Sequence, residues 1–229
     1  MIIGPANGGT PRFPATREAC IPRRMDQHTA PTLSLDGYTA LPAGRIAAVV
    51  TLLEMTAPPA PLPERGAEGL TLERVPAPDV DWYRALFRRI GEDWLWFSRL
   101  RMSDAELAAI LADRDVSVHV LRKDGAEAGF IELDFRVPGE VELAFVGLVP
   151  EMVGSGAGRF MMNRALAEAW ARRPRRVHVH TCTHDHQGAM AFYMRAGFRP
   201  YAQAIEVTDD PRLTGLLRRD AAPHVPVMG

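Results

Sequence analysis

Three glycines alternate with small residues at positions 154–158, and this loop is the segment whose residue types best suit it to bind a ligand. It follows an apolar stretch at 145–149 and precedes residues whose apolar side chains recur at helical spacing. The first turn of a helix that starts at such a loop has amides without intrahelical partners and a partial positive charge. Because glycine lacks a Cβ atom, an anion can approach this backbone closely. The loop therefore predicts a phosphate-binding site.

Two well-known phosphate loops fit the glycine-rich loop poorly. A Walker A loop requires Gly-Lys-Ser/Thr, whereas Gly158 is followed by Arg159 and Phe160. A Rossmann loop requires G-x-G-x-x-G, whereas the spacing here is G-x-G-x-G. A turn that only caps a helix is the remaining alternative, and the glycines alone do not decide between it and a phosphate site.

A second set of chemically capable side chains occupies every second position of a later segment. Its members are His178, His180, Cys182, His184 and His186. A continuing strand would place all five on one face, where they could bind zinc. The strand must end near Thr183 for the next helix to begin, which separates the two halves. A metal-binding protein is therefore a minor alternative, and we assign no metal ligand.

Periodicity indicates the elements that would position these residues. Strands are predicted near 46–53, 69–75, 116–120, 131–137, 141–149, 176–182 and 199–207, and helices near 79–97, 103–111, 159–172 and 185–196. Ser103 and Glu106 have the spacing of a capping box. The fold class is α/β, with a central mixed, mostly antiparallel sheet flanked by helices.

We divide the chain into three parts. Residues 1–68 are predicted to be an irregular Pro/Gly-rich arm with one extra strand and a proline-rich linker, and residues 69–208 a single α/β domain. Residues 209–229 form a C-terminal tail in this division. The extra strand could extend the sheet or reach a second subunit, so a homodimer stays open.

Composition restricts the partners and the compartment. A formal charge of −1 over 229 residues gives no electrostatic reason to expect nucleic acid or an anionic membrane as a partner. Cys20 and Cys182 are too few for a disulfide framework, and the N-terminus lacks the features of a secretory signal. We expect a cytoplasmic protein.

The chain resembles the GNAT N-acetyltransferase superfamily over 69–207. The glycine-rich loop, three residues beyond Pro150, is similar to the family's Gln/Arg-x-x-Gly-x-Gly/Ala loop. Residues 185–198 are similar to its Asn-x-x-Ala-x-x-Phe-Tyr-x-x-x-Gly-Phe helix. Val153 stands where the family has Gln or Arg, and His186 where it has Asn, which leaves the strength of cofactor binding open.

The resemblance implies acetyl-CoA as cosubstrate, held where two neighbouring parallel strands separate. It implies that backbone groups of the strand end and the loop bind pantetheine and pyrophosphate, with two side chains nearby. The cofactor-binding residues on this basis are Leu148, Val149, Val153, Gly154, Ser155, Gly156, Ala157, Gly158, Arg159 and His186.

The resemblance also implies acetyl transfer to an amine of a small molecule or peptide. Tyr193 occupies the family's general-acid position, and Glu142 lies at the spacing of a catalytic glutamate that could act as general base. The length of the turn before Glu142 decides the environment of this side chain. An even-length turn places Glu142 opposite Phe135, which would raise the pKa of the carboxyl group. A three-residue turn places it opposite Arg136, which would lower that pKa.

Two further points stay open at this stage. A non-catalytic acyl-CoA sensor or interaction module would share the same cofactor motifs, although Glu142 and Tyr193 argue against it. Near the predicted acceptor side, Arg99 and Arg101 accompany several aromatic residues, and this combination would suit an acceptor that bears a carboxylate.

Overall fold

The computed structural model describes Leu33 and residues 36–229. Most of the arm predicted at 1–44, including Cys20, lies outside these residues. Within the described part, no helix has the length and apolar character needed to cross a membrane.

The described chain contains a mixed sheet with helices on both faces, so the predicted α/β fold class is confirmed. The strands are β1 (Arg45–Met55), β2 (Leu70–Val75), β3 (Val116–Lys123), β4 (Ala126–Asp134), β5 (Glu140–Leu148), β6 (Arg176–Cys182) and β7 (Arg199–Asp209). The helices are α1 (Val80–Gly91), α2 (Ser98–Arg101), α3 (Asp104–Leu111), α4 (Ala157–Ala171) and α5 (Ala189–Arg195). Gly91 ends α1, so the helix predicted near 79–97 is shorter than expected, and Ser103 and Glu106 form the expected capping box.

Strand β1 lies inside the sheet and not at its margin. The seven strands follow the order β2-β3-β4-β5-β6-β1-β7, and β1 pairs antiparallel with both β6 and β7. Its residues alternate between buried and partly exposed positions along much of its length. The strand that the sequence assigns to the N-terminal arm therefore joins the last strand of the domain to the rest of the sheet.

Two hydrophobic cores cover the two faces of the sheet. One contains α4 and α5, with side chains such as Phe160 and Tyr193, and the other contains α1, α2 and α3, with side chains such as Phe87 and Leu107. Strand β3 is buried on both faces, whereas its alternating sequence suggests a half-exposed strand. The polar residues Ser117 and His119 are tolerated there because they contact Glu168 of α4.

The C-terminal residues after β7 are part of the second core. Leu217, Ala221 and Ala222 are buried against it. Asp210 and Arg212 form an ion pair that is almost fully buried, and Arg212 also donates to the carbonyl of Val225 at 2.7 Å. This segment is thus held by packing as well as by charge.

Strands β4 and β5 pair with a one-residue irregularity that changes the environment of Glu142. Leu133 lies opposite Leu143, but Glu132 lies opposite Phe145, so Ala144 is the extra residue. Glu142 lies opposite Asp134, and not opposite Phe135 or Arg136 as the two turn lengths predict. Both expectations are wrong because five residues, 135–139, connect the strands.

Strands β5 and β6 pair in parallel over only three residue pairs and then separate. The pairing runs from Glu140 with Arg176 to Glu142 with His178. Beyond it, β6 continues against β1, and β5 continues against β4. The rest of the β5 edge that faces β6 therefore has no strand partner, which leaves a cleft at the centre of the sheet, as the sequence resemblance implies.

Candidate active site

The glycine-rich loop connects β5 to the start of α4 and presents free amides. Gly154 and Gly156 have φ of +83° and +96°, which glycine adopts without strain. Within the described part of the chain, the amides of Gly154, Gly156 and Gly158 donate to no protein acceptor. The amide of Ala157 donates to the Ser155 hydroxyl at 3.3 Å. Three backbone donors at a helix start are thus available to an anion.

The proline-rich segment after β1 crosses this loop. A Cβ atom added to Gly156 would lie 2.1 Å from the carbonyl oxygen of Arg65, and one added to Gly66 would lie 2.6 Å from that of Ser155. The side chain of Asn163 on α4 holds the same segment through the backbone of Leu62. The loop is therefore packed tightly at Gly156, where glycine is needed for space as well as for conformation.

A cavity of about 850 Å³ extends from the loop along the cleft between β5 and β6. Its charged lining residues include Arg65 and Arg159 near the loop, Asp185 after β6, Arg195 on α5 and Glu206 on β7. Aromatic rings of the segment after α1, including Trp94 and Trp96, line it as well. The volume is suited to a ligand of cofactor size, and polar and charged side chains alternate with apolar ones along its lining.

Most of the predicted cofactor-binding residues line this cavity. They are Leu148, Val153, Gly154, Ser155, Gly156, Gly158, Arg159 and His186. Ala157 is fully buried, and Val149 donates its amide to Ala128 at 2.9 Å. Because hydrogen bonding alternates along an antiparallel pair, the backbone of Leu148 points away from β4 and towards the cleft, whereas the amide of Val149 does not. The amide of Val149 is therefore already bonded to β4 and is not free to pair with pantetheine, whereas the backbone of Leu148 is.

Tyr193 of α5 reaches the cavity from the helix side. Its side chain is largely buried beside Phe192 and Phe198, and its hydroxyl has no hydrogen-bond partner among the described residues. Burial, together with the negative charge of Asp185, raises the pKa of Tyr193 well above its ordinary value. The phenol therefore remains protonated near neutral pH and can donate a proton into the cavity.

Glu142 does not line the cavity, but its neighbour His180 does. The Nδ1 atom of His180 lies 3.3 Å from Oε1 of Glu142. Burial alone would raise the pKa of Glu142, but its interaction with His180 outweighs burial and lowers it. Glu142 is thus an ionised carboxylate behind a histidine, which sequence spacing did not indicate.

The arginines that the sequence places near the acceptor are engaged elsewhere. Arg99 is buried and forms an ion pair with the fully buried Glu132, which also accepts a hydrogen bond from Tyr83. Arg101 stacks on Phe97 and donates to a threonine hydroxyl of β7. Neither guanidinium lines the cavity, so the structure does not support the expected carboxylate-binding role for Arg99 and Arg101.

The turn between β6 and α5 uses the residues that the motif predicted to be helical. Asp185 accepts hydrogen bonds from the amide of Cys182 at 2.8 Å and from Thr181 at 2.7 Å. Nδ1 of His186 accepts from the amide of Gly188 at 3.0 Å, and its ring contacts Trp94 edge-on. These contacts delay α5 to Ala189, four residues later than predicted.

The alternating histidines do not converge. Strand β6 ends at Cys182, so His184 and His186 follow the turn and leave the face that carries His178 and His180. Among the residues that the structure describes, no three His, Cys, Asp or Glu side chains come together as a group that could hold a metal ion.

Solved structures are similar to this chain, and two with a TM-score of 0.50 share its fold. A protein assigned to the GNAT family from Novosphingobium aromaticivorans is 20% identical, with a TM-score of 0.50 over 74% of this chain and 68% of that one. A GCN5-related N-acetyltransferase from Sphaerobacter thermophilus is 19% identical, with a TM-score of 0.50 over 71% of this chain and 52% of that one. A conserved protein of unknown function from Staphylococcus epidermidis is 12% identical, with a TM-score of 0.47 over 73% of this chain and 64% of that one. The chain thus spans about half to two thirds of the length of these structures.

No curated protein matched the sequence. The model of the "Acetyltransferase (GNAT) family" matches residues 80–198, which is just over half of the 229 residues. The match begins at α1 and includes both the glycine-rich loop and the motif around Tyr193. Fold, loop and motif agree, and the chain belongs to the GNAT acetyltransferase family.

Proposed function

We propose that this protein transfers an acetyl group from acetyl-CoA to an amine of a small molecule or peptide. The observation that carries the proposal is the continuous cavity that joins three free amides at the start of α4 to the Tyr193 hydroxyl. A diphosphate at the amides would leave the pantetheine to follow the unpaired edge of β5, where the backbone of Leu148 faces the cleft. The thioester would then lie near the aromatic end of the cavity.

Direct transfer is favoured over an acyl-enzyme intermediate. Cys182 also lines the cavity, and a thiolate there could in principle accept the acetyl group. Burial, with the charge of Asp185 in addition, raises the pKa of Cys182 to about 11. The thiol is therefore neutral near pH 7 and a poor nucleophile. A cytoplasmic location, which we also propose, would keep this cysteine reduced.

Tyr193 is the general acid in this proposal. The thiolate of CoA is a better leaving group when a proton reaches the sulfur, and the protonated phenol of Tyr193 lines the cavity in which the sulfur would lie. Glu142, the candidate base on the spacing of the motif, contacts His180, whose side chain lines the cavity where the acceptor would bind.

Release of free CoA thiol tests the proposal. Purified protein would be incubated with acetyl-CoA and a panel of primary amines, for instance putrescine, tyramine and a tripeptide that begins with alanine. We expect thiol release that depends on one class of amine, together with acetylated product by mass spectrometry. CoA binding by calorimetry without release of thiol for any amine would contradict an enzyme and favour the acyl-CoA sensor.

A further inference from the structure

His180 is a titratable side chain that an acceptor amine in the cavity would meet. It projects from β6 into the cavity, and its side chain is 51% exposed there. His178 lies two residues earlier on the same strand face but is buried and does not line the cavity. Of the two histidines on β6, His180 thus opens to the cavity and His178 does not.

We propose that His180 is the general base that accepts a proton from the acceptor's ammonium group, and that Glu142 is a positioning residue that acts through it. The role rests on the proposed acetyl transfer. It replaces the direct role for Glu142 that sequence spacing suggests, because the Glu142 carboxylate does not reach the cavity.

The contact with Glu142 decides which ring nitrogen of His180 accepts the proton. Nδ1 of His180 faces the Glu142 carboxylate at 3.3 Å, so the proton of the neutral ring resides on Nδ1. The lone pair is then on Nε2, at the opposite side of the ring. A carboxylate that orients a histidine in this way also stabilises the imidazolium that forms after proton transfer.

Three acidic side chains on different elements act on the imidazole. They are Glu142 on β5, Asp185 in the turn after β6 and Glu206 on β7. On β1, the residue opposite His180 is the apolar Leu52. The partial loss of water around the ring inside the cleft would by itself lower the pKa of His180, but the three acids outweigh this effect and raise the pKa. The same acids would attract a cationic amine to this end of the cavity.

Two protons leave the acceptor nitrogen during the proposed transfer. The acceptor ammonium gives one proton to Nε2 of His180, and the neutral amine then attacks the thioester carbon. The C–N bond forms, and the C–S bond breaks as the intermediate collapses. The sulfur takes a proton from Tyr193, whose phenolate recovers the second proton of the amine nitrogen. His180 finally releases its proton to water.

Three variants test this assignment in the thiol-release assay. His180→Gln keeps a polar side chain but removes the base, and we expect kcat to fall by about 10²- to 10⁴-fold, the usual contribution of a general base. Glu142→Gln removes only the charge behind the ring. We expect the acidic limb of the kcat/KM profile to move to lower pH, since the pKa of His180 falls without the carboxylate.

His178→Gln is the matched control, because it changes a histidine of the same strand and face that does not line the cavity. Burial, chiefly, lowers the pKa of His178, so the ring is neutral and the exchange removes no charge. We expect an unchanged acidic limb. CoA affinity and the melting temperature of all three variants would be measured to detect a loss of folding.

The outcomes separate the two proposals. Full activity of His180→Gln, or an acidic limb that does not move in Glu142→Gln, would overturn the role of His180 while acetyl transfer stands. If the unaltered protein releases thiol with none of the amines, the proposed function itself fails, and the role of His180 fails with it.

Discussion

Tyr193 has two properties that its position in the motif does not predict. Its hydroxyl faces the cavity without a protein partner among the described residues, and its pKa is raised by burial and by Asp185. The motif predicts only which residue type stands there. The packing of Phe198 and α5 around the ring creates the environment that keeps the proton in place.

Replacing Tyr193 with phenylalanine removes the proton donor and leaves the packing intact. We expect kcat for acetyl transfer to fall about 10²-fold or more, within the range for loss of a general acid, with little change in CoA affinity. Steady-state kinetics and calorimetry measure the two quantities. A variant with the original kcat would show that water or another group protonates the sulfur.

At the scale of single elements, the loop before α4 was predictable because its glycines and flanking periodicities are local signals. The position of β5 against β4 was not, because the extra residue Ala144 and the five-residue connection depend on how the two strands pack. The environment of Glu142 followed from this register. His180 was missed as a catalytic candidate since the alternation of histidines suggests a metal, and only the pairing of β6 with β5 brings Glu142 beside it.

The glycine-rich loop offers a matched pair of substitutions. Gly156→Ala introduces a Cβ atom 2.1 Å from the Arg65 carbonyl at a φ of +96°, whereas Gly154→Ala adds one at a φ of +83° with no atom within 4 Å. Both incur backbone strain of about 1 kcal/mol or more, but only the first also displaces the segment across the loop.

We therefore expect Gly156→Ala to lower the unfolding free energy and the CoA affinity more than Gly154→Ala does. Urea denaturation and calorimetry would measure these changes. Equal effects of the two substitutions would mean that the crossing of Arg65 over the loop contributes nothing to the site.

At the scale of the molecule, the sequence division at residue 68 separates a strand from the sheet to which it belongs. β1 is apolar and β-branched, which indicates a strand, but no local signal shows that its partners lie more than a hundred residues away in β6 and β7. The described compact unit begins at Pro42 and continues to Gly229. It includes the C-terminal residues that the sequence treats as a tail.

Two truncations test the boundary. A chain without residues 1–41 retains every strand of the described sheet, and we expect it to unfold cooperatively and to bind CoA. A chain without residues 1–68 loses β1, so that β6 and β7 no longer have their common neighbour, and we expect it to be insoluble or unfolded. Circular dichroism melts and CoA titration compare the two. A soluble, cooperative shorter chain would show that β1 is dispensable.

The buried pair of Asp210 and Arg212 links stability to pH. Burial alone would raise the pKa of Asp210, but Arg212 holds it below its ordinary value. A carboxyl group whose pKa is lower in the folded than in the unfolded chain stabilises the fold above the unfolded pKa of about 4, and this stabilisation is lost as the pH falls through the folded value.

We expect Asp210→Asn to lower the unfolding free energy near pH 7 by about 3–5 kcal/mol, because Arg212 is left buried and unpaired, and to flatten the loss of stability below about pH 4. Asp220→Asn is the control: its carboxylate also pairs with an arginine but is 80% exposed, so its effect is expected to be within about 0.5 kcal/mol. Urea denaturation between pH 3 and pH 7 gives both quantities. An equal effect of the two exchanges would show that burial of the pair is immaterial.

The place of β1 between β6 and β7 has a consequence for biosynthesis. The eleven residues of this strand are synthesised more than a hundred residues before either of their neighbours. A nascent chain must therefore carry an unpaired apolar strand until β6 and β7 have been made, which exposes it to aggregation. We expect the final folding step to wait for the synthesis of β7, and chaperones that shield exposed strands to improve the yield of native protein.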